Sequence, residues 1–401
     1  MSGGPPAARG RPGRSLLVLL LVHSVLTQVI TFVVRPAVTY RALELDVPGA
    51  WLGALAASFA VVPLLVAVPS GSATDRFGER RVMLAGSVLL AGSGAVLLLA
   101  GSSPLGLVIG VAVLGTGHLL SVVGEQAAVA NSAAEGRFDS AFGYYTFAAS
   151  LGQAIGPGLI IVVGGRATIP ETHGLFIAAL GMGVVLLLCS AAVRMPARTS
   201  SARTAEAGSF GTLLRLPGLL RALVISCVVL SAVDITLVYL PALGADRGLA
   251  AGFIGLLLTL RALASMTTRL FLGRMVARLG RRRLMIIAVS LSAVATAAAA
   301  VPQPPASLAV VIVLMGFGLG VGQPLTMAWL ATVAPPGLRG RAMSLRLTGN
   351  RLGQVVIPSS VGALAAGLGA AGVLWATAAA LAVVAAAARR LATDSGPPSP
   401  S

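Results

Sequence analysis

The chain is a succession of long apolar runs separated by short polar breaks. Twelve runs stand out, at residues 15–37, 50–70, 82–101, 105–130, 142–164, 172–193, 219–242, 251–272, 284–302, 307–331, 342–366 and 369–389. Each is about 20 residues long, enough for an α-helix to cross the hydrocarbon core of a bilayer. None alternates apolar and polar positions with the two-residue period of a barrel strand. The pattern predicts an all-α integral membrane protein of twelve transmembrane helices. The flanking segments 1–14 and 391–401, rich in Gly, Pro, Ser and Arg, are expected to be disordered tails. Arg9, Arg11 and Arg14 precede the first run as they would in a signal peptide. Arg35-Pro36 follows it in place of a small-residue cleavage site, so the run reads as a retained helix.

Composition sharpens this picture. A chain that is 56% hydrophobic and 10% charged has too little polar area to cover a soluble domain. The formal net charge of +17 invites a nucleic-acid reading, but the basic residues, all of them arginine, fall in the short breaks. That placement is a topology signal and not a nucleic-acid-binding face. One set of breaks holds Arg76, Arg80, Arg81, Arg137, Arg194, Arg198, Arg203, Arg215, Arg274, Arg278, Arg281, Arg282, Arg283 and Arg339, and both termini belong to it. The opposite set holds only Arg41, Arg166 and Arg247. Both termini are therefore expected on the cytoplasmic side. Arginine without lysine, beside abundant Ala and Gly, points to a GC-rich bacterial genome and hence to a bacterial inner membrane. Cys189 and Cys227 lie inside runs and give no disulfide or metal spacing. With no phosphate-cradling loop, zinc spacing or nucleophile motif, no cofactor, metal or enzymatic activity is expected.

The chain also repeats itself. Gly71-Ser72-Ala73-Thr74-Asp75-Arg76-Phe77-Gly78-Glu79-Arg80-Arg81 recurs in degenerate form 202 residues on, as Gly273-Arg274-Met275-Val276-Ala277-Arg278-Leu279-Gly280-Arg281-Arg282-Arg283. Leu151-Gly152-Gln153 recurs as Leu352-Gly353-Gln354, and Pro157 as Pro358, at an offset of 201. Two motifs in one register indicate duplication. Six spans is an even number, so both copies keep one orientation: two parallel-repeat six-helix bundles, 15–193 and 219–390. The polar segment 194–218 is the expected linker on the cytoplasmic side. A membrane protein of two equivalent halves suggests a central pathway walled by both, and so solute transport.

In these motifs the chain resembles the major facilitator superfamily, over essentially its whole length. That family's connector between helices two and three reads Gly-x-Leu-Ala-Asp-Arg-x-Gly-Arg-Arg/Lys. Gly71, Asp75, Arg76, Gly78 and Arg80 match it, Ala73 replaces Leu, and Glu79 stands where Arg is common. Arg81 completes the first copy, and Gly273, Arg278, Gly280, Arg281 and Arg282 form the second. The resemblance implies two bundles rocking about a central site, and a latch between Asp75 and the start of helix eleven that holds the outward-facing state. Ala277 at the equivalent position cannot latch. Helix five of the family's exporters carries Gly-x-x-x-Gly-Pro-x-x-Gly-Gly, which Gly152, Gly156 and Pro157 match up to Ile160-Ile161; the implied role is to seal the pathway against leak. The exporters' helix-four pattern, Arg-x-x-Gln-Gly, is absent around Gly115-Thr116-Gly117-His118.

Several polar residues fall inside the runs, where a charge is costly and needs a reason. Asp234 lies near the middle of span seven and Arg261 near the middle of span eight. They read either as a structural pair or as a proton or substrate site. Glu125 and His118 are seven residues apart on span four, roughly on one face. Together they could relay a proton, or Glu125 could be the gate partner of Arg346 or Arg351 on span eleven. Arg346 and Arg351 could equally bind an anionic substrate. Arg35 and Arg269, nearer span ends, are expected to snorkel. Gln28, Gln153, Gln323 and Gln354 could hydrogen-bond a solute or glue helices together. The sequence thus leads to a monomeric secondary transporter in the lipid bilayer, exporting a small organic molecule in exchange for protons, with Asp234 and Glu125 as proton carriers. The alternative is a proton symporter importing a small polar or anionic solute through the interior arginines. A non-transporting sensor or scaffold stands third.

Overall fold

The computed structural model describes residues 14–132, 138–195, 219–333, 339–364 and 367–389. Nearly all of the expected linker and both expected tails lie outside them. Among the described residues there are twelve helices and no strand: α1 (Arg14–Glu44), α2 (Gly49–Phe77), α3 (Glu79–Ala100), α4 (Pro104–Ser132), α5 (Phe138–Gly164), α6 (His173–Ala192), α7 (Leu219–Asp246), α8 (Ala251–Leu279), α9 (Arg281–Ala300), α10 (Pro305–Val333), α11 (Arg339–Leu364) and α12 (Gly369–Ala388).

Ten of these are long and apolar enough to cross a membrane by length and composition. In α2 the described side chains include the apolar stretch Trp51–Ala67, and the helix ends in the front of the basic motif. Helix α11 is polar for a reason visible in the packing. In α11 the mid-helix residues Arg346, Asn350 and Gln354 are buried against neighbouring helices and not turned to lipid. Outward-facing apolar side chains such as Leu65, Leu99, Val162 and Val383 are each at least 69% exposed, the surface a bilayer covers.

The helices differ from the sequence pattern chiefly in reach. Helix α1 does not stop at Arg35-Pro36; it runs through Pro36 to Glu44. Proline is tolerated in a membrane helix because neighbouring helices re-satisfy the freed carbonyl. The basic motif is not an extended loop but two helices broken at one residue. Gly78 sits at φ 85° between α2 and α3, and Gly280 at φ 74° between α8 and α9. That left-handed backbone is open to glycine and strained for other residues. Gly71 and Gly273, by contrast, are helical, and a Cβ on either would meet nothing.

The duplication is carried into side-chain contacts. Arg80 at the start of α3 donates to the carbonyl of Ala191 at the end of α6 (2.7 Å). Its counterpart Arg282 at the start of α9 donates to the carbonyl of Arg389 just past α12. At the opposite face Arg41 donates to Gly101 O just past α3 (3.0 Å), and Arg247 donates to the carbonyls of Ala299 and Ala300 at the end of α9 and of Val301 just past it. Guanidinium groups thus meet the orphan carbonyls and negative dipole ends of helices on both faces.

Helices α1–α6 and α7–α12 form the two bundles, and the described contacts between them run from mid-helix to the arginine-poor face. There α5 lies against α8, and α2 against α11. Each contact rests on a glycine facing a proline. A Cβ on Gly255 of α8 would come 2.9 Å from the carbonyl oxygen of Pro157 in α5, and one on Gly53 of α2 would collide with the carbonyl oxygen of Pro358 in α11. The two pairs are related by the same duplication, since Gly53 and Gly255 are 202 residues apart and Pro157 and Pro358 are 201 apart. Ala251 N donates to Ala167 O (2.6 Å) to close that end. One apolar core spans both halves, joining Ile30, Val33 and Val34 of α1 with Ile235 and Val238 of α7.

Candidate functional site

Among the described residues, three polar clusters occupy the interior. The first lies between the halves. Asp234 on α7, 4% exposed, accepts hydrogen bonds on both oxygens: Oδ1 from Arg35 Nη1 of α1, and Oδ2 from Gln354 Nε2 of α11 (2.5 Å). Gln354 Oε1 in turn accepts from Arg351 (3.1 Å). Phe59 of α2 is the hub of this cluster. The guanidinium carbons of Arg35 and Arg351 stand 4.5 and 5.9 Å from its ring centroid, within cation–π range. The ring of His118 on α4 lies against it at 5.5 Å. His118 Nε2 is 3.3 Å from Gln28 Nε2, and Gln28 Oε1 accepts from Gln153 of α5 (3.4 Å). Arg261 of α8 is buried within electrostatic reach of Asp234, Arg35 and Arg269.

The structure therefore corrects the expected Asp234–Arg261 pair. The partner of Asp234 is Arg35, on the opposite half. Arg35 does not snorkel: it is 4% exposed, because α1 continues past it to Glu44, about two and a half turns further. Arg269 also turns inward, donating to Ser150 Oγ of α5 across the halves (2.9 Å).

The second cluster lies wholly within the first half. Glu125 of α4, fully buried, receives Nδ1 of His23 at 2.7 Å, Thr27 Oγ1 at 2.8 Å and Tyr145 OH at 3.1 Å. With Nδ1–H donating to the carboxylate, His23 Nε2 is left to accept from Ser190 Oγ (2.7 Å), which also contacts Ser87 Oγ (2.7 Å). Neither Arg346 nor Arg351 is the partner of Glu125, and His118 does not join it. This network ties α1, α3, α4, α5 and α6 together. Removing His23 takes a donor from the buried Glu125 carboxylate and the acceptor from Ser190, so His23→Leu is expected to lower stability by about 1–3 kcal/mol. Thermal unfolding of the purified protein measures this, and an unchanged midpoint would show that the network carries no such load.

The third cluster is the counterpart of the second in the other half. Arg346 of α11 donates to Gln323 Oε1 of α10 (2.6 Å), and Gln323 Nε2 donates to Ser226 O of α7 (2.8 Å). Arg346 and Tyr145 are 201 residues apart, so both copies cross-link the same pair of helices. The four glutamines are thus all bonded to protein groups.

Of the basic motif, Asp75 lies in the last turn of α2, but its side chain, like those at the start of α11, lies outside those described, so the expected latch has no described geometry. Arg76 packs on Phe77, while Arg81 and Arg278 are exposed and Arg281 half-buried. Gly152 and Gly156 let α5 approach the backbone of α1: a Cβ on Gly156 would come 2.9 Å from Val29 O, and one on Gly152 would collide with Val25 O. Pro157 follows them at the seam with α8.

Phe59, Gly53 and Gly255, Tyr145 and His23 are the residues that reading along the sequence missed. The two glycines carry a signal, the 202-residue offset. The others do not, since their partners lie on distant helices.

The Major Facilitator Superfamily model matches residues 20–253 and 222–401, covering nearly the entire chain. No curated protein matches the sequence. Among solved structures, a D-xylose-proton symporter superposes with a TM-score of 0.75 at 16% identity, covering 94% of this chain and 97% of its own. The nucleoside transporter NupG gives 0.73 at 16%, covering 93% and 98%. A bacterial homologue of the human lysosomal transporter Spinster, inward-facing and unoccupied, gives 0.73 at 14%, covering 97% and 100%. At these identities the likeness is one of fold. Twelve helices among the described residues, ten of them apolar enough to span a membrane, in two duplicated bundles with an ionic cluster between them, and a family match along nearly all of the chain lead to one conclusion: this multi-pass membrane protein belongs to the Major Facilitator Superfamily of transporters and is not an enzyme.

Proposed function

We propose that the chain is a proton-coupled secondary transporter for a small organic solute, working by alternating access, with Asp234 as the proton carrier. The observation that carries this reading is the Arg35–Asp234–Gln354 bridge, because one charge comes from each half. Such a pair survives only while α1 and α7 face each other at this level. Separating them leaves two bare charges in a buried place, at a cost of several kcal/mol. A proton on Asp234 removes one of them. Glu125 supports a different role: all its partners lie in one half, so its protonation would not by itself loosen the contact between halves.

The contacts of Gly53, Gly255, Pro157 and Pro358 support a seal on the arginine-poor face, and the arginine bias supports that face as the one outside the cell. The reading then has the pathway facing the cytoplasm, with Asp75 as the latch of the opposite state. The helix-five motif supports export by exchange with protons; the interior arginines support import by symport.

The test is vectorial. In inverted vesicles with an imposed pH gradient, a transported solute collapses the gradient under exchange and is drawn along it under symport. Transport with no accompanying proton movement would contradict the coupling.

A further inference from the structure

We propose that the arginine cluster between the halves binds an organic anion bearing carboxylate or phosphate oxygens, and that Arg261 is its anchoring cation. The inference rests on the reading of the chain as a transporter and names its substrate class.

The charges at this level do not balance. Asp234 is within electrostatic reach of three guanidinium groups, Arg35, Arg261 and Arg351. Its two oxygens are already taken, by Arg35 and by the neutral Gln354. Arg261, 2% exposed, has no hydrogen bond to any described residue, and its Nε is buried without a partner. Nη2 of Arg35 is also buried and unpartnered. The hydrogen bond of Arg351 goes to a neutral amide oxygen, and the rest of the group faces Phe59.

Buried guanidinium groups are retained when something supplies acceptor oxygens and negative charge. Their planar forks suit the paired oxygens of a carboxylate or phosphate. Phe59 and His118 add an apolar, aromatic wall beside these donors, which suits an anion with an organic body. The other interior cations differ from Arg261 in each making a side-chain hydrogen bond, Arg269 to Ser150 and Arg346 to Gln323, although the Nε of each is also buried without a partner.

A direction of coupling follows. When α1 and α7 part, Arg35 and Asp234 both need cover. An anion that draws Arg35 away leaves Asp234 to take up a proton, so anion and proton bind together. That sequence gives symport.

The full-length protein in detergent is titrated with succinate, phenyl phosphate and inorganic phosphate, beside xylose and tetramethylammonium as neutral and cationic controls. Binding is read by saturable thermal stabilisation. The organic anions are expected to stabilise it and the controls not to. Arg261→Gln is expected to weaken binding about 10- to 100-fold, and Arg261→Lys less, since it keeps the charge and loses the fork. Arg351→Gln gives a second reading should Arg261→Gln not fold. No stabilisation by any anion, or wild-type affinity in both Gln variants, overturns the proposal. Absence of anion binding with pH-dependent opening of the halves intact overturns the substrate class alone. Anion binding in a protein whose halves ignore pH supports the anion site and overturns the proton reading instead.

Discussion

Asp234→Asn is expected to abolish proton-driven accumulation while leaving downhill movement of the same probe anion. For a one-proton symport, each unit of imposed pH difference supports about tenfold accumulation at equilibrium. In reconstituted vesicles the wild type should approach that ratio, and Asp234→Asn should stay near unity at any gradient. Asp234→Glu, which restores a titratable group on the same helix face, should recover part of it. The Asn variant also leaves Arg35 without its counter-charge, so it should lose stability by about 3–5 kcal/mol. Asp234→Asn combined with Arg35→Gln removes both charges and should regain much of that stability. It should not regain coupling. Recovery of accumulation in the double variant would mean that the pair is structural.

The second large effect is expected from Gly53→Ala. The new Cβ would collide with the carbonyl oxygen of Pro358 on α11, a backbone atom that cannot swing aside. The strain is relieved by parting α2 from α11, which opens the arginine-poor face. Overpacking of this kind costs about 1–3 kcal/mol, a shift in population of about 5- to 150-fold. A cysteine at Val38, buried on α1, reports it through its labelling by a membrane-impermeant maleimide in a protein whose Cys189 and Cys227 are replaced by Ser. Gly255→Ala should act in the same direction through Pro157. Gly71→Ala is the control, since its Cβ meets nothing. Equal labelling of Gly53→Ala and Gly71→Ala would remove the seal from the account.

Much of the fold was legible because it is written in long, local apolar runs. All twelve spans were placed by them, and the duplication was visible as two motifs in one register. The runs failed where a helix continues through polar sequence. Arg35-Pro36 looked like the end of a span, so Arg35 was assigned to the surface when it belongs to the centre. The same misreading gave Asp234 the wrong partner. Arg35 and Asp234 are 199 residues apart on helices that no sequence spacing brings together. Glu125 was legible as an interior acid, but His23, Thr27 and Tyr145 became its partners only through the packing of α1, α4 and α5. Gly53 and Gly255 were the exception. Their offset was available in the sequence, and only the contact with the prolines gave it meaning.

Protonation of Asp234 is expected to release one half from the other. Spin labels at Trp51 of the first half and Leu368 of the second, both exposed at the arginine-poor face, report the separation directly by pulsed electron–electron resonance. A longer-distance population is expected that grows as pH falls in the wild type, and that is present and insensitive to pH in Asp234→Asn. A distance distribution that ignores pH in the wild type, or that shifts with pH equally in Asp234→Asn, would contradict it.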